Sequence, residues 1–576
     1  MAAALTMLPW VLGVRLLVFA PFRLFEGLWK YTSLWDLRNI VLGAIISTAF
    51  LYPLTAAIAP APGYPRSILL LDLLVLMFLL VGVRITRRVY RELAWSGHGR
   101  RRLLVYGAGD AGEMIVRDIR QNARYDAQPI GFIDDDRHKT GQRIHGVPVL
   151  GGREQLPSIM EKHSPDEVLI ALPSASRDAV RRVVRSLDPY KVRITTLPRL
   201  HDLLGERVEV GQIRQLKVED LLARDAVGLD YEPVQRFIEG KRIVVTGAGG
   251  SIGSELCRQI AAARPASLVL LDRNENSLFH IHNELTKAFP DVELCPVMAD
   301  VTDVRRIDQV FGHERPHVVF HAAAHKHVPL MEDNPCEAVK NNVRGTRLVA
   351  EAARRFGVER FVLISTDKAV NPTSVMGSTK RVAELIVSEL SGSSNTRFAA
   401  VRFGNVLGSN GSVVPTFLAQ IQNGGPVTVT HPEMKRFFML IPEAVQLVLH
   451  AGALGDQAPL FVLEMGEQVK VVDMARDLIR LAGFVPDKDI AIAFTGIRPG
   501  EKLFEELVGD GEFAERSSVD KILRVQTATP PRHNGLADAV ARLEELALEG
   551  RSDDVLRELG ALLTDFTPSR TETSPV

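Results

Sequence analysis

Residues 241–253 read KRIVVTGAGGSIG, an apolar β-branched run that ends at a threonine and opens into glycines at 247, 249, 250 and 253. That order predicts a strand, a sharp turn and the start of a helix. Gly247 permits the tight turn, Gly250 lets the backbone approach a pyrophosphate, and Gly253 allows the helix to pack closely. Ser251 and Ile252 belong to the same expected cofactor-binding turn. Asp272 closes the next apolar run, SLVLLD, about 20 residues on, where a carboxylate accepts ribose hydroxyls. Its neighbour Arg273 can pair with a 2′-phosphate, so NAD is the expected cofactor and NADP the alternative.

Working outward, the runs KRIVVT, SLVLLD, VELCPVM, HVVFH, RFVLIS and RFAAVR alternate with helical stretches. Strands separated by helices predict a doubly wound parallel sheet with its ligand at the carboxyl ends of the strands. Asp300, which ends the third run, is placed to accept from an adenine amine, or else to cap the segment TDVRRI. Val301, Ala322 and Ala323 complete the expected cofactor-binding set. After Asn334, helical spacing sets Val339, Val343, Thr346, Ala350 and Ala353 on one face.

Upstream, LLVYGAGDAG, PIGFIDDD and DEVLIALP predict a second, smaller parallel α/β unit. Its GxGxxG is Gly107, Gly109 and Gly112, and no acid or base stands out after it, so a structural or regulatory unit is expected there. The first ninety residues hold the apolar excess. Asn39 to Ala59 is uncharged and long enough for a membrane span. Ser67 to Val83 and Ala2 to Phe22 are further candidates, with Trp10, Trp29, Trp35 and Trp95 near the segment ends. Arg84, Arg87, Arg88, Arg91, Arg100, Arg101 and Arg102 predict by the positive-inside rule that everything beyond Arg84 is cytoplasmic.

The expected fold class is therefore α/β: transmembrane helices (1–90), a Rossmann-like domain (101–200), a connector (201–240), a catalytic Rossmann-like domain (241–527), then C-terminal helices and a disordered tail (528–576). With 69 Lys+Arg against 69 Asp+Glu, no global field draws the 576-residue chain onto nucleic acid. Three scattered cysteines make neither a disulfide frame nor a Cys-rich zinc site. His321, His325 and His327 lack partners at ligand spacing, so no metal is expected.

TGAGGSIGSE, LLDRNE, HAAAHKHVPLME, NNVRGT, STDKAVNPTSVMGSTKR, RFGNVLGSNGSVVP and RPGEKLFEEL resemble the extended short-chain dehydrogenase/reductases that act on nucleotide sugars. The membrane-attached UDP-N-acetylglucosamine 4,6-dehydratases of bacterial polysaccharide and glycan synthesis are the branch most similar. The resemblance implies oxidation at carbon 4, loss of water across carbons 5 and 6, and return of hydride to carbon 6. It also implies a UDP-sugar substrate, a homo-oligomer, a lipid bilayer partner and a multi-pass inner-membrane location. That branch usually has four spans and this chain shows at most three, so either an abbreviated amino terminus or a misplaced start is expected. By the resemblance Asp367 is the acid for the leaving hydroxyl, Lys368 the carbon 5 base and Thr366 a donor to the 4-oxygen. Where short-chain dehydrogenases carry Tyr-x-x-x-Lys, this chain has Met376 and Lys380. Lys380 keeps the nicotinamide ribose, while the oxidation base stays open among Asp367, Lys368 and water. Lys326 and His327 are expected to approach the sugar, Asn405 and Arg436 to hold sugar or phosphate, and Arg498 with Glu501 to clamp the UDP moiety. A nucleotide-sugar 4-epimerase and a non-catalytic membrane nucleotide sensor or scaffold are the alternatives.

Overall fold

The computed structural model describes residues 2–22, 34–58, 67–94, 101–121, 126–187, 189–197, 213–216, 220, 230–392, 395–454, 459–527, 535–563 and 566. Most of the expected connector, the Ser/Thr/Pro-rich tail, Trp29 and the side chains of Arg84 to Arg100 lie outside them. The chain divides into two compact units, Met1–Arg100 and Arg101–Val576.

The first unit contains helices Ala2–Phe19, Leu34–Ile58 and Ser67–Ala94. Among the described residues no helix is long and apolar enough to cross a membrane. The expected transmembrane helices, and with them the multi-pass inner-membrane localisation, are corrected on this point. Pro9 and Pro53 interrupt two of these helices, and Arg15 pairs with Asp72 between the first and third.

Among the described residues the second unit has two large sheets and three two-stranded ones. The larger has nine strands, in the order Glu293–Met298, Ser267–Asp272, Arg242–Thr246, Val318–His321, Arg360–Ile364, Arg397–Arg402, Leu460–Leu463, Ile522–Thr527 and Glu512–Arg516. The six runs read from the sequence are its first six strands, all parallel, and the chain reverses direction across the sheet beside Arg242–Thr246. Alternate residues point to opposite faces, and both faces are buried. Ile243, Val245, Leu268, Leu270 and Phe320 lie in one core, Val244, Val269, Leu271, Val319 and Phe361 in the other.

The sequence reading did not include Leu460–Leu463 or the antiparallel hairpin Glu512–Arg516 with Ile522–Thr527. The helix expected after Asn334 forms with a π-turn at Val339–Arg344 inside it, and its five face residues are all buried.

The smaller sheet has seven strands, including Arg101–Tyr106, Ala127–Ile133 and Glu167–Ile170. One apolar core joins it to the C-terminal part of the larger domain, with Val168, Ile170 and Val184 beside Val472, Met474 and Leu478. Its glycine turn does carry an acid. Asp134 Oδ2 accepts from Ala108 N at 2.8 Å and from Lys139 Nζ at 2.9 Å. Burial opposes that charge, but Lys139 and two backbone N–H groups override it and hold the carboxyl below its usual range.

Candidate active site

Gly247 has φ +68°, and a Cβ there would stand 2.7 Å from Ala323 N. A Cβ on Gly253 would stand 1.9 Å from Gly247 O, so this helix meets the turn backbone to backbone. Gly250 caps the helix Ser251–Ala262 from extended backbone. Asp272 receives Gly249 N and Asn274 N, both at 2.8 Å, which fixes its carboxylate at the strand end. Arg273 reaches Asp300 at 3.7 Å and His325 Nε2 at 3.2 Å. Asp300 does not cap the following helix: it accepts from Thr302 N and Oγ1, while Asp303 accepts from Arg306 N at the helix start. Val301 is buried against Gly345. His321 lies between Thr246 Oγ1 at 2.8 Å and Thr346 Oγ1 at 3.1 Å, and burial pushes its pKa down to about 3, leaving a neutral ring.

A cleft of about 650 Å³ opens at the carboxyl ends of these strands. It brings together Gly250, Ser251, Ile252, Gly253, Ala322, Lys326, His327, Thr366, Lys368, Met376, Lys380, Asn405, Arg436, Arg498 and Glu501. Gly247, Asp272, Arg273, Asp300, Val301, Ala323 and Asp367 are not among its lining residues.

Next to Lys368, which lines the cleft, Asp367 is fully buried. Its Oδ1 accepts from Thr366 Oγ1 at 2.9 Å and from Lys368 Nζ at 2.9 Å, and its Oδ2 has no hydrogen-bond partner. That oxygen faces Gly404, where a Cβ would come to 3.1 Å. Lys368 Nζ also donates to Asn405 Oδ1 at 3.0 Å. Burial opposes the ammonium, but Asp367 and Glu505 outweigh it and raise the pKa of Lys368. Helix Val375–Ser391 comes close because Gly377 has no side chain: a Cβ there would be 2.2 Å from Lys368 O. This helix carries Met376, which is buried, and Lys380, whose Nζ donates to Ile364 O at 2.6 Å. Burial lowers the Lys380 pKa to about 8.

Burial also lowers the pKa of Lys326 and of His327, and His327 packs against Gly411, where a Cβ would be 2.6 Å from the ring. Arg436 is buried, with its guanidinium on the carbonyls of Lys435, Lys502 and Leu503. Arg498 is exposed at the rim, and Glu501 has a buried, unpartnered Oε2. The sequence reading missed Glu505, which is buried at the cleft 3.9 Å from Lys368 and 3.8 Å from Arg436. Its motif, RPGEKLFEEL, had been read only for Arg498 and Glu501.

The glycine cradle, its strand-end acid and Lys380 beside the cleft fit NAD(P). Fold and cleft define a dinucleotide-dependent enzyme of the extended short-chain dehydrogenase/reductase class. A family model described as polysaccharide biosynthesis protein matches residues 243–527, and one described as CoA-binding domain matches residues 30–198. The chain is 44% identical to the capsular polysaccharide biosynthesis protein CapD of Staphylococcus aureus, over 87% of this chain and 84% of that protein. It is 32% identical to the UDP-glucose 4-epimerase of Rickettsia rickettsii, over 50% of this chain and 82% of that one. It is 31% identical to the UDP-N-acetylglucosamine 4,6-dehydratase (inverting) of Campylobacter jejuni, over 48% of this chain and 80% of that one. The chain belongs to the polysaccharide biosynthesis protein family, whose enzymes are of the nucleotide-sugar dehydratase and epimerase type.

Proposed function

We propose that this protein is a nucleotide-sugar 4,6-dehydratase acting on UDP-N-acetylglucosamine. The observation that carries the reading is the contact of buried Asp367 with Lys368, which lines the cleft. Elimination across carbons 5 and 6 needs one group to take the carbon 5 proton and another to protonate the departing hydroxyl. A 4-epimerase needs neither. Bound NAD supplies a temporary hydride acceptor at carbon 4.

In this reading Lys368 takes the carbon 5 proton, Asp367 protonates the 6-hydroxyl through the opening that Gly404 leaves, and Thr366 turns its hydroxyl toward the 4-oxygen. Met376 has no proton to exchange, so the 4-hydroxyl proton goes to Asp367, Lys368 or water. Lys380 holds the nicotinamide ribose. Lys326, His327 and Asn405 approach the sugar, Arg436 stays behind it, and Arg498 with Glu501 lies toward the UDP moiety. Engagement of Arg273 by Asp300 and His325 supports NAD over NADP. Exposed Leu70, Leu71, Leu74 and Phe78 on Ser67–Ala94 support an apolar partner, either lipid or a second copy of the chain.

Incubation of the purified protein with UDP-N-acetylglucosamine and NAD, followed by mass spectrometry, tests the reading. Loss of one water supports it. Unchanged mass with inversion at carbon 4 replaces it with the epimerase, and absence of product from any UDP-sugar leaves a non-catalytic scaffold.

A further inference from the structure

A lysine that is to act as a base must first give up its own proton. Here the Lys368 amine is held as an ammonium, with Asp367 Oδ1 at 2.9 Å and Asn405 Oδ1 at 3.0 Å. The third group around it is Glu505, whose Oε1 lies 3.9 Å from Nζ. Glu505 comes from a segment far along the chain, is 4% exposed, and keeps an Oε2 without a hydrogen-bond partner. The charged groups that face it are Lys368, Asp367, Arg436 and Lys502. Arg436 is committed to backbone carbonyls and approaches no nearer than 3.8 Å. Burial first, and Asp367 second, raise the pKa of Glu505 against the pull of Lys368, Arg436 and Lys502.

We propose that Glu505 is a positioning residue that holds the Lys368 amine beside Asp367 and stores the proton that Lys368 must shed before it can act. The proton moves from Lys368 Nζ to Glu505 Oε1, which frees the lysine lone pair and leaves the net charge of the cluster unchanged. The 3.9 Å gap must shorten to the about 3 Å of a hydrogen bond, a small side-chain movement. Lys368 then takes the carbon 5 proton, its ammonium exchanges with solvent, and it later gives a proton back to carbon 5, which leaves the amine neutral again. Asp367 starts as a carboxylate, so the proton it gives to the departing 6-hydroxyl is one it first takes from the 4-hydroxyl. This account rests on the dehydratase reading.

The test compares wild type with Glu505→Gln and Glu505→Asp, in the full chain with NAD and UDP-N-acetylglucosamine. With the store present, the number of protons on the pair is constant, and wild-type kcat is flat across neutral pH. In Glu505→Gln the lysine must lose its proton to solvent, so kcat falls at neutral pH and climbs about tenfold per pH unit. A merely structural role would lower kcat by one factor at every pH, and that result overturns the proposal. Should Glu505→Gln not fold, Glu505→Asp decides: a flat profile supports the store and a sloping one overturns it.

A second measurement needs no turnover. Lysine side-chain NMR, with the Lys368 signal assigned by Lys368→Arg, is expected to titrate about one pH unit or more lower in Glu505→Gln. An unchanged titration overturns the proposal. Failure of wild type to release water sinks the dehydratase reading separately, and the NMR titration then decides the Lys368–Glu505 coupling alone.

Discussion

Replacing Arg402 with leucine removes a fully buried guanidinium whose four contacts to carboxylates run to Glu384 at 2.7 and 2.8 Å and to Glu512 at 2.6 and 3.0 Å. Two buried carboxylates then keep only neutral donors, Ser365 Oγ and Gly509 N, besides the Arg381 guanidinium 3.0 Å from each. Leaving buried charge uncompensated costs about 3–5 kcal/mol. An independent figure comes from Glu384. Burial opposes its charge, but Arg402 and Arg381 with Ser365 hold its pKa at about 2 against an ordinary 4.5. That difference corresponds to about 3 kcal/mol. A depressed carboxyl pKa stabilises the fold above pH 4.5 and loses that contribution as pH falls toward 2. The leucine variant is therefore hurt most at neutral pH, and acidification narrows its deficit. Hydrogen exchange of strand Arg397–Arg402 reports on this network. It is expected to accelerate about a hundredfold or more at pH 7. Exchange within threefold of wild type, or a deficit that widens in acid, would refute the reasoning. The site feels the loss too, because Glu384 also accepts from Ser365 Oγ at 2.6 Å, one residue before Thr366.

Gly253→Ala places a Cβ 1.9 Å from a backbone carbonyl that cannot move aside. NAD affinity by calorimetry is expected to fall about tenfold or more, and wild-type affinity would count against the cradle. Met376→Leu conserves volume at a buried site and is expected to keep kcat for water loss within about threefold, whereas a collapse would give the thioether a role in the chemistry. His321 stays neutral in the fold, with a pKa near 3 against an ordinary 6.5. The unfolded chain takes up its proton first as pH falls, so stability drops below 6.5. The loss is about 2 kcal/mol at pH 5. His321→Gln should flatten this slope in urea unfolding followed by circular dichroism, and an unchanged slope would place the titration elsewhere.

The parallel core of the catalytic sheet was readable because strands buried on both faces are continuous apolar runs, as in KRIVVT and SLVLLD. The edge hairpin Glu512–Arg516 with Ile522–Thr527 was not, since EFAER is mostly exposed and the hairpin joins the sheet only where Ile522–Thr527 meets the distant strand Leu460–Leu463. Sequence spacing located Thr366, Asp367 and Lys368 because they follow a strand directly. Glu505 had no such marker: it reaches the lysine by a long-range fold contact, and a carboxylate within a charged motif reads as surface. Asp134 escaped for a similar reason, as one of three consecutive aspartates told apart only by the partners the fold brings to each: Ala108 N and Lys139 to Asp134, Arg153 to Asp135 and His138 N to Asp136. The apolar N-terminal segments were read from length, composition, flanking tryptophans and the arginine run after them. None of these registers that Arg15 and Asp72 pair between two of the helices.

Deuterium incorporation at carbon 5, measured with UDP-N-acetylglucosamine in heavy water, bears most directly on the claim that a dehydration runs on Lys368. Wild type is expected to yield a product lighter by one water that carries solvent deuterium at carbon 5, while Lys368→Ala leaves that position unexchanged. Exchange at the wild-type rate in the lysine variant, or a wild-type product of unchanged mass epimerised at carbon 4, would contradict it.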